Sequence, residues 1–168
     1  MADQPDQTTT PPARQLVLQK IYVKDLSYES PKAPEIFRTS ATPQTQLNLR
    51  TSNRDLGSGH VEVTLTMTLE SKDKDTTIFL IEIAQAGVFT IEGYTPQERG
   101  MLLGSFCPAT LYPFAREAIS DLTVKGGFPP LLLQPINFDA LYAQASKSAA
   151  EQTVAAAVPQ PPPVEERH

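Results

Sequence analysis

The chain has 168 residues, enough for one domain with a sizeable core, and its 19 acidic against 14 basic residues set a net charge of -5. That balance repels a phosphate backbone and argues against nucleic acid as a partner, while a single cysteine excludes an internal disulfide and a CxxC metal cluster. No run of about 20 apolar residues is present, so no helix is expected to insert in a membrane, and without a basic-then-apolar signal the expected setting is the reduced cytoplasm.

Residues 1–14 (MADQPDQTTTPPAR) are polar and rich in threonine and proline. They offer no apolar run whose burial would offset the entropy of ordering, and are expected to be disordered. A first strand is expected over 19–29 (QKIYVKDLSYE). Residues 30–43 follow with Pro31, Pro34 and Pro43, which oppose a tight hairpin and predict a long crossing connection. Ile36 and Phe37 within it need an apolar place to sit. Residues 46–53 read as a second strand and 53–59 as a turn. Over 60–70 (HVEVTLTMTLE) the alternation is nearly complete: Val61, Val63, Leu65, Met67 and Leu69 on one face, Glu62, Thr64, Thr66, Thr68 and Glu70 on the other. A period of two marks one buried and one wet face. Residues 71–75 are a polar turn, and 76–91, rich in β-branched and aromatic residues, completes a hairpin.

Past this point the period changes. Thr95-Pro96-Gln97-Glu98 has the form of a helix start, with Thr as N-cap, Pro first and Glu third. Met101, Leu102, Ser105 and Phe106 follow at helical spacing. Pro108 and Pro113 are expected to interrupt or kink the run, which continues over 115–124 to a stop at Gly126-Gly127. Residues 128–135 are too proline-rich for regular helix, and a final helix is expected from near Asn137 or Asp139, carrying Leu141 and Tyr142. Residues 147–168, alanine-rich and then proline-rich, are expected to be a disordered tail. Four strands followed by helices predict an α+β domain over 15–146: a four-stranded antiparallel sheet with helices packed on one face.

Residues 104–142 are long, apolar, aromatic and broken by prolines, and between Phe106 and Tyr142 there is no histidine. Cys107 has no cation beside it to favour a thiolate, so a small buried residue is the better reading. His60 and His168 are too isolated in sequence for metal ligation or general-base work. Gly57-Ser58-Gly59 is too short for a phosphate loop. No enzyme motif and no cofactor site is expected, and the surplus apolar surface points to binding. Three consecutive leucines, Leu131, Leu132 and Leu133, cannot all point inward, so part of that surface must meet another subunit or a ligand. On 76–91, Phe79, Ile81, Ile83 and Gln85 share one side and Leu80, Glu82 and Ala84 the other. With Asp25 and Glu29 on the first strand, the second side could dock a basic partner, though pattern alone favours an ordinary solvated sheet face.

Three segments go further: 18–37 (LQKIYVKDLSYESPKAPEIF), 104–117 (GSFCPATLYPFARE) and 127–142 (GFPPLLLQPINFDALY). Together they strongly resemble SecB, the bacterial protein-export chaperone family. The resemblance implies a homotetramer, a dimer of dimers, of subunits with a four-stranded sheet and two main helices. It implies a holdase that works without ATP, keeps exported preproteins unfolded in the cytoplasm and passes them to the SecA motor. Carried over by position, Asp25, Glu29, Leu80 and Glu82 match SecA-docking residues, which reverses the reading of that face as merely solvated. Phe37, Leu47, Leu49, Leu141 and Tyr142 match the client groove, and Ile81, Ile83 and Gln85 match positions that tune tetramer assembly. Relatives carry a tryptophan where this chain has Ala41, and no tryptophan occurs anywhere in it, which implies a shallower groove. The alternative is a SecB-like chaperone dedicated to a toxin–antitoxin pair, which has no reason to keep Asp25, Glu29 and Glu82 together.

Overall fold

Alternating apolar residues on several extended segments need one shared apolar layer to cover them. In the computed structural model, strands β1 (Gln15–Glu29), β2 (Gln44–Gly57), β3 (His60–Asp73) and β4 (Thr76–Glu92) supply that layer as a single antiparallel sheet. Its order is β1-β4-β3-β2. The structure describes residues 13–156, with side chains through residue 149. Every strand is longer than its apolar pattern. Ser71 to Asp73 belong to β3 rather than to a turn, and the chain reverses at Lys74, which takes a positive φ of 53°. Likewise β2 runs through Gly57, and the turn closes over Ser58 and Gly59. Polar ends of strands are held by ladder hydrogen bonds that composition does not announce.

The connection over 30–43 crosses from one edge of the sheet to the other, through a short 3-10 turn at Glu35–Arg38. Beyond the sheet, Thr95 and Glu98 form the expected capping box at the start of α1 (Pro96–Met101). Pro108 and Pro113 neither interrupt nor end the run: α2 is continuous over Cys107–Lys125, with Pro113 inside it. The irregularity lies one turn earlier, where Leu102–Phe106 forms a π-turn. Pro108 has no N–H to offer the carbonyl four residues back, and the widened turn stands just ahead of it. Asn137 caps α3 (Phe138–Ala156), its Oδ1 accepting from the Ala140 N–H at 3.0 Å. This helix passes the boundary expected at 146; residues 1–12 and 157–168, expected to be disordered, lie outside the described residues.

Helix α2 lies on β4 and β3. Val61, Val63, Leu65, Met67, Leu69, Ile81, Ile83 and Phe89 fill the layer beneath it with Leu111, Ala115 and Ile119. The opposite face of β3 is not uniformly wet. Glu62 and Thr64 are buried, at 4% and 9% exposure, because neighbouring strands lean over them. Tyr22 donates to the Glu62 carboxylate, as does Lys24 at 2.9 Å, and Arg54 closes the third side at 3.3 Å. A strand read alone cannot show what its neighbours place across from it.

Candidate binding surfaces

Register decides which residues can act together. Leu47 pairs with Leu69 and Leu49 with Met67, so both leucines point to the helix side of edge strand β2. Helix α3 faces them. Leu47, Asn48, Leu49, Thr51, Gly104, Phe138, Leu141, Tyr142 and Ala145 line a groove of about 510 Å³. Four of the five expected client-groove residues are therefore brought together. α3 is seated by the hydrogen bond from Ser105 Oγ to the Asp139 carboxylate and by close approach of Tyr142 to Gly104, where a Cβ would collide with the Tyr142 ring. Gly104 is thus a packing glycine, and nothing in its neighbours along the chain marks it as one.

The fifth residue, Phe37, stands apart. It lies in the crossing connection, half exposed, against Phe128 with ring centroids 5.3 Å apart. Phe128 in turn meets Phe79 at 5.0 Å, and Phe79 meets Tyr28 at 6.3 Å. Beside this aromatic chain is a second recess of about 310 Å³, lined by Ile36, Phe37, Ala41, Pro43 and Phe128 among others. Ala41 opens onto it. The leucine run resolves as its spacing required: Leu131 and Leu133 pack on the core while Leu132 is 75% exposed.

On the outer face, Glu29 pairs with Leu80, Ser27 with Glu82 and Asp25 with Ala84. Asp25, Glu29, Leu80 and Glu82 therefore share the side away from the helices, on adjacent strands. Glu82 accepts a hydrogen bond from Thr68 at 3.1 Å. Next to it a largely polar trough of about 500 Å³ is lined by Asn48, Leu49, Arg50, Ser52, Thr66, Thr68 and Glu82. The trough escaped sequence reading because it is assembled from three strands.

Ile81 and Ile83 are wholly buried and Gln85 nearly so, its amide donating to the Tyr22 carbonyl at 2.9 Å. They belong to the interior of one subunit, so they do not themselves face a second copy. Cys107 is fully buried and its thiol is pushed up to about 12 by burial; it stays protonated at neutral pH. His60 Nδ1 engages the Ser58 carbonyl in the hairpin turn.

An apolar groove between an edge strand and a helix, backed by a polar sheet face, is the kind of surface with which binding proteins take extended polypeptide. Comparison with known proteins gives this class its family. Preprotein translocase subunit SecB matches residues 8–149, and the chain belongs to the SecB family. It is 51% identical over 141 residues to protein-export protein SecB of Methylococcus capsulatus, covering 84% of this chain and 91% of that protein. With protein-export protein SecB of Hahella chejuensis it shares 50% over 140 residues, 83% of this chain and 88% of that one. Among solved structures, the Mycobacterium tuberculosis Rv1957 SecB-like chaperone, in complex with a ChAD peptide from the Rv1956 HigA1 antitoxin, aligns with a TM-score of 0.61. At 18% identity over 72% of this chain and 90% of that one, this likeness speaks for the fold alone. The curated relatives make the chain a SecB protein-export chaperone; the toxin–antitoxin alternative is not favoured. Among the described residues, no helix is long and apolar enough to cross a membrane.

Proposed function

We propose that this chaperone holds unfolded preproteins in the cytoplasm by burial alone and delivers them to SecA. Clients would lie in the groove of Leu47, Leu49, Leu141 and Tyr142, with Phe37 and its recess as a second apolar contact. Recognition of this kind selects what folding hides, extended apolar and aromatic segments, and needs no nucleotide. SecA would dock on Asp25, Glu29, Leu80 and Glu82, its basic zinc-bearing tail drawn to the carboxylates. The observation that carries this reading is the strand register that places those four residues on one open face, opposite the groove.

We further propose a homotetramer. Val17, Leu18, Val23 and Leu26 on β1 and Met101, Phe106, Phe114 and Val124 on the helices are each 37% to 52% exposed, apolar surface along an edge strand and the helices that further copies of the chain would cover. Ile81, Ile83 and Gln85 would act on assembly from beneath, by setting the seat of α2. The test of docking is charge reversal. Asp25→Lys, Glu29→Lys or Glu82→Lys should abolish SecA binding in titration calorimetry, spare the melting temperature and client holding, and the wild-type interaction should weaken as salt rises. SecA affinity untouched by all three reversals would overturn the docking site.

A further inference from the structure

We propose that the outer face reads a segment of mixed charge, with basic side chains over Asp25, Glu29 and Glu82 and a carboxylate on Arg50. This deepens, and rests on, the docking of SecA at that face. Arg50 pairs with Thr66, Thr66 with Ala84 and Ala84 with Asp25, so Arg50 stands in the same transverse row as one of the acids. With Glu82 it borders the trough of about 500 Å³, whose remaining lining is Leu49 and the hydroxyls and amide of Asn48, Ser52, Thr66 and Thr68. Such a floor offers a bound backbone both donors and acceptors.

Three other cations around this face are engaged, while Lys20, on β1 opposite Val88, stands outside the row that holds Arg50 and Asp25. Lys24 and Arg54 hold Glu62, and Lys72 holds Glu70 at 3.0 Å. Among the described residues Arg50 makes no ion pair. A bare guanidinium beside three carboxylates would weaken the pull on a purely basic partner, and its planar fork is suited to a carboxylate. Two strands and one residue pair separate Glu82 from Arg50, about 12 Å at ordinary sheet spacings, which an extended chain spans in roughly three to four residues. The partner chemistry is therefore a lysine or arginine followed at that spacing by an aspartate or glutamate.

The contrasting account makes Arg50 a solvated charge that only blunts an edge strand, and the two differ in sign. If docking is purely basic, Arg50→Glu adds a fourth acid and SecA binding stays level or tightens. If the segment is of mixed charge, Arg50→Glu weakens SecA binding by about tenfold and Arg50→Gln by less, with client holding and melting temperature unchanged. Calorimetric titration of the full-length variants with purified SecA at two salt concentrations reads this directly. Wild-type binding with level or tighter binding by Arg50→Glu overturns the proposal and leaves the docking site standing. Loss of the docking site itself is read separately: no SecA binding by the wild type, or affinity untouched by all three reversals at Asp25, Glu29 and Glu82, removes both.

Discussion

Replacing both groove leucines, Leu47→Ala with Leu49→Ala, tests where clients are held. Full burial of a leucine side chain is worth about 1.5–3 kcal/mol. Both leucines are already half-buried against the core cluster, so a client can cover only the remainder, about 1 kcal/mol for each. The pair share one face and one client, and together should cost about 2 kcal/mol, or roughly 30-fold in affinity. The same truncation loosens packing on Leu69 and Met67, so some thermal stability is lost as well. A domain of this size ordinarily has about 5–15 kcal/mol in hand, enough to stay folded. Anisotropy of a labelled, unfolded preprotein reads affinity, and light scattering establishes that the assembly keeps the wild-type size. Leu132→Ser is the control: that side chain is more exposed than either leucine but lies outside the groove, and its loss should leave affinity unchanged. An intact double variant that binds clients like the wild type would refute the assignment of this groove.

Two more outcomes follow from the packing and charge of the fold. Gly104→Ala pushes a methyl group into the Tyr142 ring and should cost about 1–3 kcal/mol as overpacking; faster amide exchange in α3 and weaker client binding, with the sheet signal in circular dichroism intact, would show it. Glu62→Gln keeps the shape of a buried side chain while removing its charge, and should cost about 1–2 kcal/mol, a modest figure because Lys24 and Arg54 are largely solvated. Hydrogen bonds from Tyr22 and then Lys24 hold the Glu62 carboxyl below its ordinary 4.5. Its contribution is therefore present above pH 4.5 and lost as pH falls through the lowered value. Melting curves of wild type and Glu62→Gln should converge on acidification, and a constant gap from pH 7 to pH 3 would contradict the network.

How much of this was legible in the chain depends on the range of the interactions. The strands were legible because Val61 to Leu69 alternate without fault, and that alternation also placed Leu80 and Glu82 opposite Ile81 and Ile83. The start of α1 was legible because a capping box is local. The π-turn was not, since Pro108 signals a missing donor without saying which turn will absorb the loss. Nor was the burial of Glu62, which depends on Tyr22 from one strand and Arg54 from another. Ile81 and Ile83, carried over as assembly residues, turn out to be interior because α2 covers them. The groove was named through resemblance alone, and its construction from β2 and α3 needed the tertiary fold.

One strand joins the two surfaces. Along β2, Leu47 and Leu49 face the groove, while Asn48 and Arg50 face the outer trough. Successive side chains of a strand point to opposite faces, so a client and a docking partner, bound as proposed, would meet this stretch of β2 from opposite sides. Asn48 and Leu49 border both recesses, so any coupling between the two faces is expected to run through those two residues. Under the proposed function, occupation of one face would leave the other open, so that SecA could dock while a client is held. The arrangement depends on register, since a slip of one residue in β2 would exchange leucines for Asn48 and Arg50. The pairing of Leu47 with Leu69 and Leu49 with Met67 prevents that slip, because both partners are wholly buried in the core. The apolar core of β3 thus does more than stabilise the domain; it keeps the proposed holding surface and the proposed docking surface on their separate sides.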